Sequence, residues 1–246
     1  MPPREMRLTE ALVARVPPYG GESGRLAGRD DLPTEEEYAA AVAALLAEGP
    51  SSGEAWVFAY GSLIWLPGFD HVEERLGTLH GWRRSFCIGW IRIYRGTPER
   101  PGLMLGLESG GSCRGVLFRL PPDALAANVD AIFRREHPIR WDRPHMRWAT
   151  ARTREGLVRA LVVVGDRSHP LFLPGLPEDV VVEALATAAG ERGSMAEYLR
   201  STVAQLEARG IHDRYLWRLQ ERVAERLERG DGPAGIGEKL WQLQQS

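Results

Sequence analysis

The chain has 246 residues, 43% hydrophobic and 26% charged, with a formal net charge of -2 and an isoelectric point near 6.3. That length suits one large domain or one domain with extensions. The composition excludes a disordered chain, and the near-neutral charge excludes a global pull toward nucleic acid or an anionic membrane.

Two cysteines, Cys87 and Cys113, cannot build a disulfide framework and form no Cys-x-x-Cys pair, which predicts a reducing compartment. The N-terminus shows no apolar signal core, and the longest apolar run, Ala39 to Ala47, is too short to span a bilayer. The expectation is a cytoplasmic protein with neither a membrane nor a nucleic acid as partner.

Residues 1–33 are rich in Pro, Gly, Arg and Asp and read as an extended, partly mobile lead-in, dispensable for chemistry. Thr34-Glu35-Glu36-Glu37 then forms a capping box, because the Thr34 hydroxyl can accept from the amide of Glu37 while Glu37 reaches back to Thr34. The helix it opens runs to about Glu48 and stops at Gly49-Pro50. Residues 1–50 are therefore an extension with one helix, 51–229 the main domain, and the glycine-rich 230–246 a flexible tail.

From Trp56 the texture changes. Trp56 to Tyr60, Leu76 to Trp82, Ser85 to Ile91, Met104 to Glu108, Gly115 to Leu120, Arg147 to Arg152 and Leu157 to Val164 read as short strands. Most are linked by Gly, Pro or charged turns, including a turn at Glu108-Ser109-Gly110-Gly111-Ser112. Many short strands with few intervening helices predict an α+β fold with a small mixed β-barrel and packed helices, not a doubly wound sheet. Pro122 opens a helix with Leu125, Val129, Ile132 and Phe133 on one face, and Val180–Ala189, Met195–Arg209 and Arg214–Arg229 read as C-terminal helices.

Three segments can carry chemistry. In Phe58-Ala59-Tyr60-Gly61-Ser62-Leu63-Ile64-Trp65 a strand ends in a glycine turn whose amides can converge on an anion or a polarised carbonyl; the plain alternative is a strand end with buried aromatics. In Arg134-Arg135-Glu136 a carboxylate stands at a helix C-terminus, where the macrodipole favours cations; it is either a general base or a solvated helix end. The loop Tyr94 to Gly102 offers Arg95 to a carboxylate, or is simply a rigid hairpin connection. His137, Asp142 and His145 match no metal spacing and sit among arginines, and no phosphate-binding glycine loop or Gly-x-Ser-x-Gly elbow is present, so neither a metal nor an organic cofactor is expected.

Together these segments resemble the ChaC-like γ-glutamylcyclotransferases. Trp56 to Trp65 resembles the family signature W-V-F-G-Y-G-S-L-I-W; Arg95-Gly96-Thr97-Pro98-Glu99 with Pro101-Gly102, Cys113-Arg114-Gly115-Val116, Arg134-Arg135-Glu136, Glu197-Tyr198-Leu199 and Ile211 to Leu216 resemble further family segments in the same order. The resemblance covers about residues 56–229. It implies a γ-glutamylcyclotransferase-like fold and no cofactor. It implies Glu136 as catalytic base and Ala59, Tyr60, Gly61, Ser62, Leu63 and Ile64, with Arg95, as binders of a small-molecule substrate, glutathione or another γ-glutamyl amide. The implied reaction folds the γ-glutamyl group into 5-oxoproline. Ala59 stands where the family usually has glycine, and His137 to Asp142 replaces a Met-x-x-Gly-x-Tyr pattern found in many bacterial members; both departures bear on pocket shape and leaving group. A cyclotransferase for another γ-glutamyl amine and an inactive small-ligand binder remain as alternatives.

Overall fold

A computed structural model describes residues 5–18, 32–138 and 146–230. The chain divides into two compact units. One comprises Leu26–Ser85 and Gly106–Asp166, the other Met1–Arg25, Phe86–Leu105 and Arg167–Ser246.

The first unit is built on a barrel. Its strands are β1 (Trp56–Ala59), β2 (Glu73–Ile91), β3 (Gly102–Arg119), β4 (Met146–Arg152) and β5 (Leu157–Val163), closed in the order β1-β3-β2-β4-β5. β1 runs antiparallel to β3, with Trp56 opposite Arg119 and Ala59 opposite Val116. It runs parallel to β5, with Trp56 opposite Ala160. All four β1 residues are buried, as a strand hemmed by neighbours on both sides requires. Trp56, Phe58, Leu79, Leu107, Leu117, Phe118 and Leu161 are almost completely buried.

Two expectations are corrected here. Leu76–Trp82 and Ser85–Ile91 belong to one strand, β2, and Met104–Glu108 and Gly115–Leu120 to another, β3. Gly110 and Gly111, read as a turn, lie inside β3 with φ of 100° and 73°, and Gly81 in β2 has φ of 83°. Glycines in this conformation bend a strand without reversing it, which is how a long strand wraps a small barrel. β2 and β3 both continue into the second unit, crossing its boundary at Phe86 and Leu105.

Two helices belong to the barrel unit: α2 (Glu35–Ala47) and α3 (Leu125–Glu136), with α1 reserved for Glu10–Val13 of the other unit. Both bonds of the predicted capping box form at α2, Glu37 N–H to Thr34 Oγ1 at 3.2 Å and Thr34 N–H to Glu37 Oε2 at 2.7 Å. A 3₁₀ turn at Pro122–Ala124 leads into α3, where Val129, Ile132 and Phe133 are buried as the helical spacing predicts.

The second unit is helical: α1, α4 (Glu178–Thr187), α5 (Met195–Ala208) and α6 (Arg214–Arg229), with a small hairpin of β6 (Ala189–Gly190) and β7 (Gly193–Ser194). Asp213 caps α6 by accepting from Tyr215 and Leu216 N–H at 3.1 Å, and Gly230 ends it in the left-handed conformation. The predicted stripe Leu216, Leu219, Val223 and Leu227 is buried. Glu183 on α4 receives Arg226 of α6 at 2.7 and 3.1 Å, a buried ion pair with both bonds of the fork satisfied.

Part of the supposed lead-in is ordered structure. Thr9 caps α1, Leu8 is fully buried, and the Leu8 amide donates to Oε1 of the buried Gln220 at 2.9 Å. Arg7 pairs with Glu225 and Glu228 of α6, and Arg15 donates to the Leu227 carbonyl at 3.0 Å. The segment satisfies polar groups along α6 and covers part of its apolar stripe. Composition weighted the prolines and charges of the segment over Leu8, Leu12 and Val16, whose i, i+4, i+8 spacing is helical. Most of residues 1–33 and nearly all of the tail, 231–246, lie outside the described residues.

Leu8→Ala is therefore expected to lower global stability by about 2–5 kcal/mol, the usual cost of emptying a buried leucine site. Thermal and urea unfolding would read it; an unchanged midpoint would show that the segment merely rests on α6.

Candidate active site

The signature turn leaves the end of β1. Tyr60, Gly61, Leu63 and Ile64 are buried, Ser62 is half-buried, and Ser62–Ile64 close a 3₁₀ turn in which Ile64 N–H reaches the Gly61 carbonyl at 3.0 Å. Leu66 N–H bonds the Ser62 carbonyl at 2.8 Å, so the chain is pinned as it leaves the turn. Ala59 has no exposed surface.

Arg84 fixes the turn from below. This residue of β2, 5% exposed, donates Nε to the Tyr60 carbonyl at 2.7 Å and Nη2 to the Arg114 carbonyl at 2.6 Å. Gly115 opposite makes the close approach possible, since a Cβ there would lie 2.5 Å from the Ala59 carbonyl oxygen.

Glu136 is the last residue of α3. The helix ends because His137 leaves helical geometry (φ -126°, ψ 62°) while its amide still reaches the Phe133 carbonyl at 2.8 Å. The His137 ring stacks on Phe133 at 4.3 Å, and the His137 carbonyl accepts from Tyr38 Oη at 2.9 Å. Helix α2 thus grips the end of α3. Glu35 takes both Nη atoms of Arg134 at 2.8 and 2.7 Å, and that guanidinium lies 4.3 Å over the Tyr38 ring.

The Glu136 side chain is mostly buried, keeping 24% of its exposure. Loss of solvent pushes its pKa up from the ordinary carboxylate range, and the charge of Arg135 beside it pulls the other way without prevailing. Arg134 takes no part in that contest because it is turned to Glu35 and Asp130.

Arg135 joins the two parts. Its Nε lies 3.3 Å from Glu136 Oε1, while Nη2 donates to Ser62 Oγ at 3.1 Å and Nη1 to the carbonyls of Leu66 and Pro67. The structure therefore brings Tyr60–Ile64 and Glu136 together through this guanidinium. Sequence reasoning singled out Glu136 and gave Arg135 no part in the site; Arg84 carries no local signal, because only the folded barrel places it under the turn.

Arg95 belongs to the other unit. Its Nη1 donates to the Ser194 carbonyl at 2.9 Å and to Glu197 Oε2 at 3.1 Å, with the guanidinium 5.5 Å over the Tyr198 ring. These contacts tie the loop after β2 to the start of α5. Among the described residues no three His, Cys, Asp or Glu side chains come together as a metal site; of the rejected trio, His137 is buried against Phe133, and Asp142 and His145 lie outside the described residues.

The ChaC-like protein family matches residues 55–226, the span that holds the barrel, the turn and Glu136. The chain belongs to that family. A glutathione-specific γ-glutamylcyclotransferase from Escherichia coli is 36% identical over 179 residues, covering 72% of this chain and 76% of the relative. The γ-glutamylcyclotransferase 2-1 of Arabidopsis thaliana is 32% identical over 152 residues, 58% of this chain and 70% of that one. Among solved structures, a yeast γ-glutamylcyclotransferase specific to glutathione shares the fold with a TM-score of 0.62 at 20% identity, over 70% of this chain and 96% of the other. Helix α2 lies before the matched span.

The raised pKa of Glu136 has a consequence for stability. The folded state binds this proton more tightly than the unfolded chain, whose glutamate titrates near about 4.3. The stabilisation is complete below that pH and is lost as pH rises through the folded pKa, leaving an ionised carboxylate at a cost at neutrality. Glu136→Gln should therefore unfold at a higher temperature than the parent at pH 7, with the difference shrinking toward pH 4. A variant less stable at pH 7 would contradict the desolvation argument.

Proposed function

We propose that this chain is a γ-glutamylcyclotransferase, a lyase that converts glutathione to 5-oxo-L-proline and cysteinylglycine, with Glu136 as its general base. The observation that carries the reading is a mostly buried carboxylate of raised pKa whose neighbour Arg135 bonds Ser62 of the Tyr60–Ile64 turn, within a span that matches a family with glutathione-specific members.

The chemistry requires little. The substrate's α-amine attacks its own γ-carbonyl and closes a five-membered lactam, so nucleophile and electrophile arrive already connected. Holding the glutamyl chain folded can contribute about 7–11 kcal/mol. The ammonium first loses a proton to Glu136, and a carboxylate whose pKa is raised is the better acceptor near neutrality. As the C–N bond forms, amides of the Tyr60-Gly61-Ser62 turn stabilise the oxyanion. The amide bond then breaks as Glu136 gives its proton to the leaving nitrogen and takes the second proton from the new ring nitrogen, which passes to the amine of cysteinylglycine so that it departs as an ammonium. Atoms and charge balance with no oxidant, water or cofactor.

We assign substrate contact to Tyr60, Gly61, Ser62, Leu63 and Ile64, and treat Ala59 as packing beneath them. Arg95, engaged by Glu197 and Ser194, is proposed to shape the loop rather than bind the substrate carboxylate directly. The catalytic domain is proposed to span residues 51–229. Two buried free cysteines, Cys87 and Cys113, suit a reducing cytoplasm, and no described helix is long and apolar enough to cross a membrane.

Glu136→Gln keeps the shape of the side chain but cannot take a proton. It is expected to lower kcat on glutathione by about 10²–10⁴-fold, with KM little changed and the acid limb of the pH profile abolished. In the parent that limb should fall above the ordinary carboxylate range, since the active form is the ionised one. Glu99→Gln, at an exposed acid of the neighbouring loop, is the matched control. Release of 5-oxoproline, followed by chromatography across a panel of γ-glutamyl amides, measures it; near-parental kcat in Glu136→Gln on every substrate would defeat the assignment.

A further inference from the structure

We propose that Arg135 is a positioning residue that ties the base to the substrate turn, keeping one guanidinium in ion-pair contact with Glu136 and hydrogen-bonded to the turn. This rests on the reading of Glu136 as general base.

Consecutive residues on a helix do not face each other, so an Arg135–Glu136 contact is not ordinary helix-surface pairing. It arises because the guanidinium is drawn toward the turn. Three separate acceptors there, Ser62 Oγ and the carbonyls of Leu66 and Pro67, take its two Nη groups, which leaves Nε facing Glu136 Oε1 at 3.3 Å. A planar fork spreads its two Nη groups over these acceptors while Nε stays beside the carboxylate, a reach that a compact ammonium lacks. The turn is shaped to receive it. Gly68 adopts φ of 69°, and a Cβ at that position would come within 3.2 Å of Arg135 Nη1. One guanidinium thus pins the exit of the turn and sets its charge beside the carboxylate.

The charge matters as well as the geometry. Once Glu136 has taken the amine's proton, a neighbouring cation weakens its hold, which favours return of the proton to the leaving amine. The other charged groups at this end of α3 do not compete for the role. Arg134 faces Asp130 on its own helix and Glu35 on α2, and the stretch Tyr60–Pro67 carries no ionisable group but the Tyr60 phenol.

The test uses the full chain with Arg135→Met and Arg135→Lys, and Glu136→Gln as reference. The Glu136 carboxyl carbon is identified by the ¹³C resonance missing in Glu136→Gln and is titrated without substrate. Arg135→Met should move its midpoint to higher pH, and Arg135→Lys should leave it near the parent value. Both should lower kcat by about 10–100-fold, since a misplaced base costs rate whatever its charge. The acid limb of the rate profile should shift upward in Arg135→Met alone. A merely structural arginine would lower the melting temperature without moving the midpoint. An unmoved or lowered midpoint in Arg135→Met, or parental kcat in Arg135→Lys, overturns the proposal. Should Arg135→Met fail to fold, Arg135→Lys decides through its kcat. If Glu136→Gln itself retains parental kcat, the general-base reading fails instead, and the titration still reports whether Arg135 pairs with Glu136.

Discussion

The site depends on the closure of the barrel around β1. This strand has only four residues, yet it is paired on one side with β3 and on the other, in parallel, with β5. A strand held on both edges cannot slip without breaking two ladders and turning its buried aromatics outward. Its end point is fixed accordingly, and the Tyr60 turn starts from a rigid place. Arg84 and Gly115 extend that rigidity by one step, the first by holding the Tyr60 carbonyl and the second by letting the strands approach. A preorganised turn spends no reorganisation energy when charge develops on a substrate carbonyl.

The other half of the site is less favourable to the fold. A carboxylate at a helix C-terminus opposes the macrodipole, and its desolvation adds to the cost. Such a residue stays in place only when its surroundings hold it there. Helix α2 helps to do so: it binds Arg134 through Glu35, the His137 carbonyl through Tyr38, and Phe133 through an edge contact at 6.1 Å. Trp148 ties α2 back to the barrel through the Leu45 carbonyl at 2.7 Å. The support for the proposed base thus comes in part from a segment that precedes the matched span.

Arg135 distinguishes a functional arrangement from a tolerated one. Arg134 is absorbed by carboxylates and an aromatic ring, the usual fate of a helix-end arginine. Arg135 instead spends its donors on backbone carbonyls and a hydroxyl of the turn while facing the adjacent acid. Two neighbouring arginines of one sequence motif thus do different work, and the division comes from which surface each faces.

Much was legible in the sequence. The capping box at Thr34, the bounds of α6 and its buried stripe, the α+β class and the turn after β1 follow from local hydrogen-bonding chemistry and from hydrophobic spacing, both of which act over a few residues. What the sequence left open has the opposite character. Whether Gly81, Gly110 and Gly111 reverse a strand or bend it depends on the barrel they must wrap. Whether Leu8 is buried depends on α6, more than two hundred residues away. Whether desolvation or the neighbouring arginines govern Glu136 depends on where each guanidinium finds its acceptors. Those acceptors are backbone carbonyls and side chains of distant segments, which carry no residue-type signal, so only the tertiary structure could decide between them.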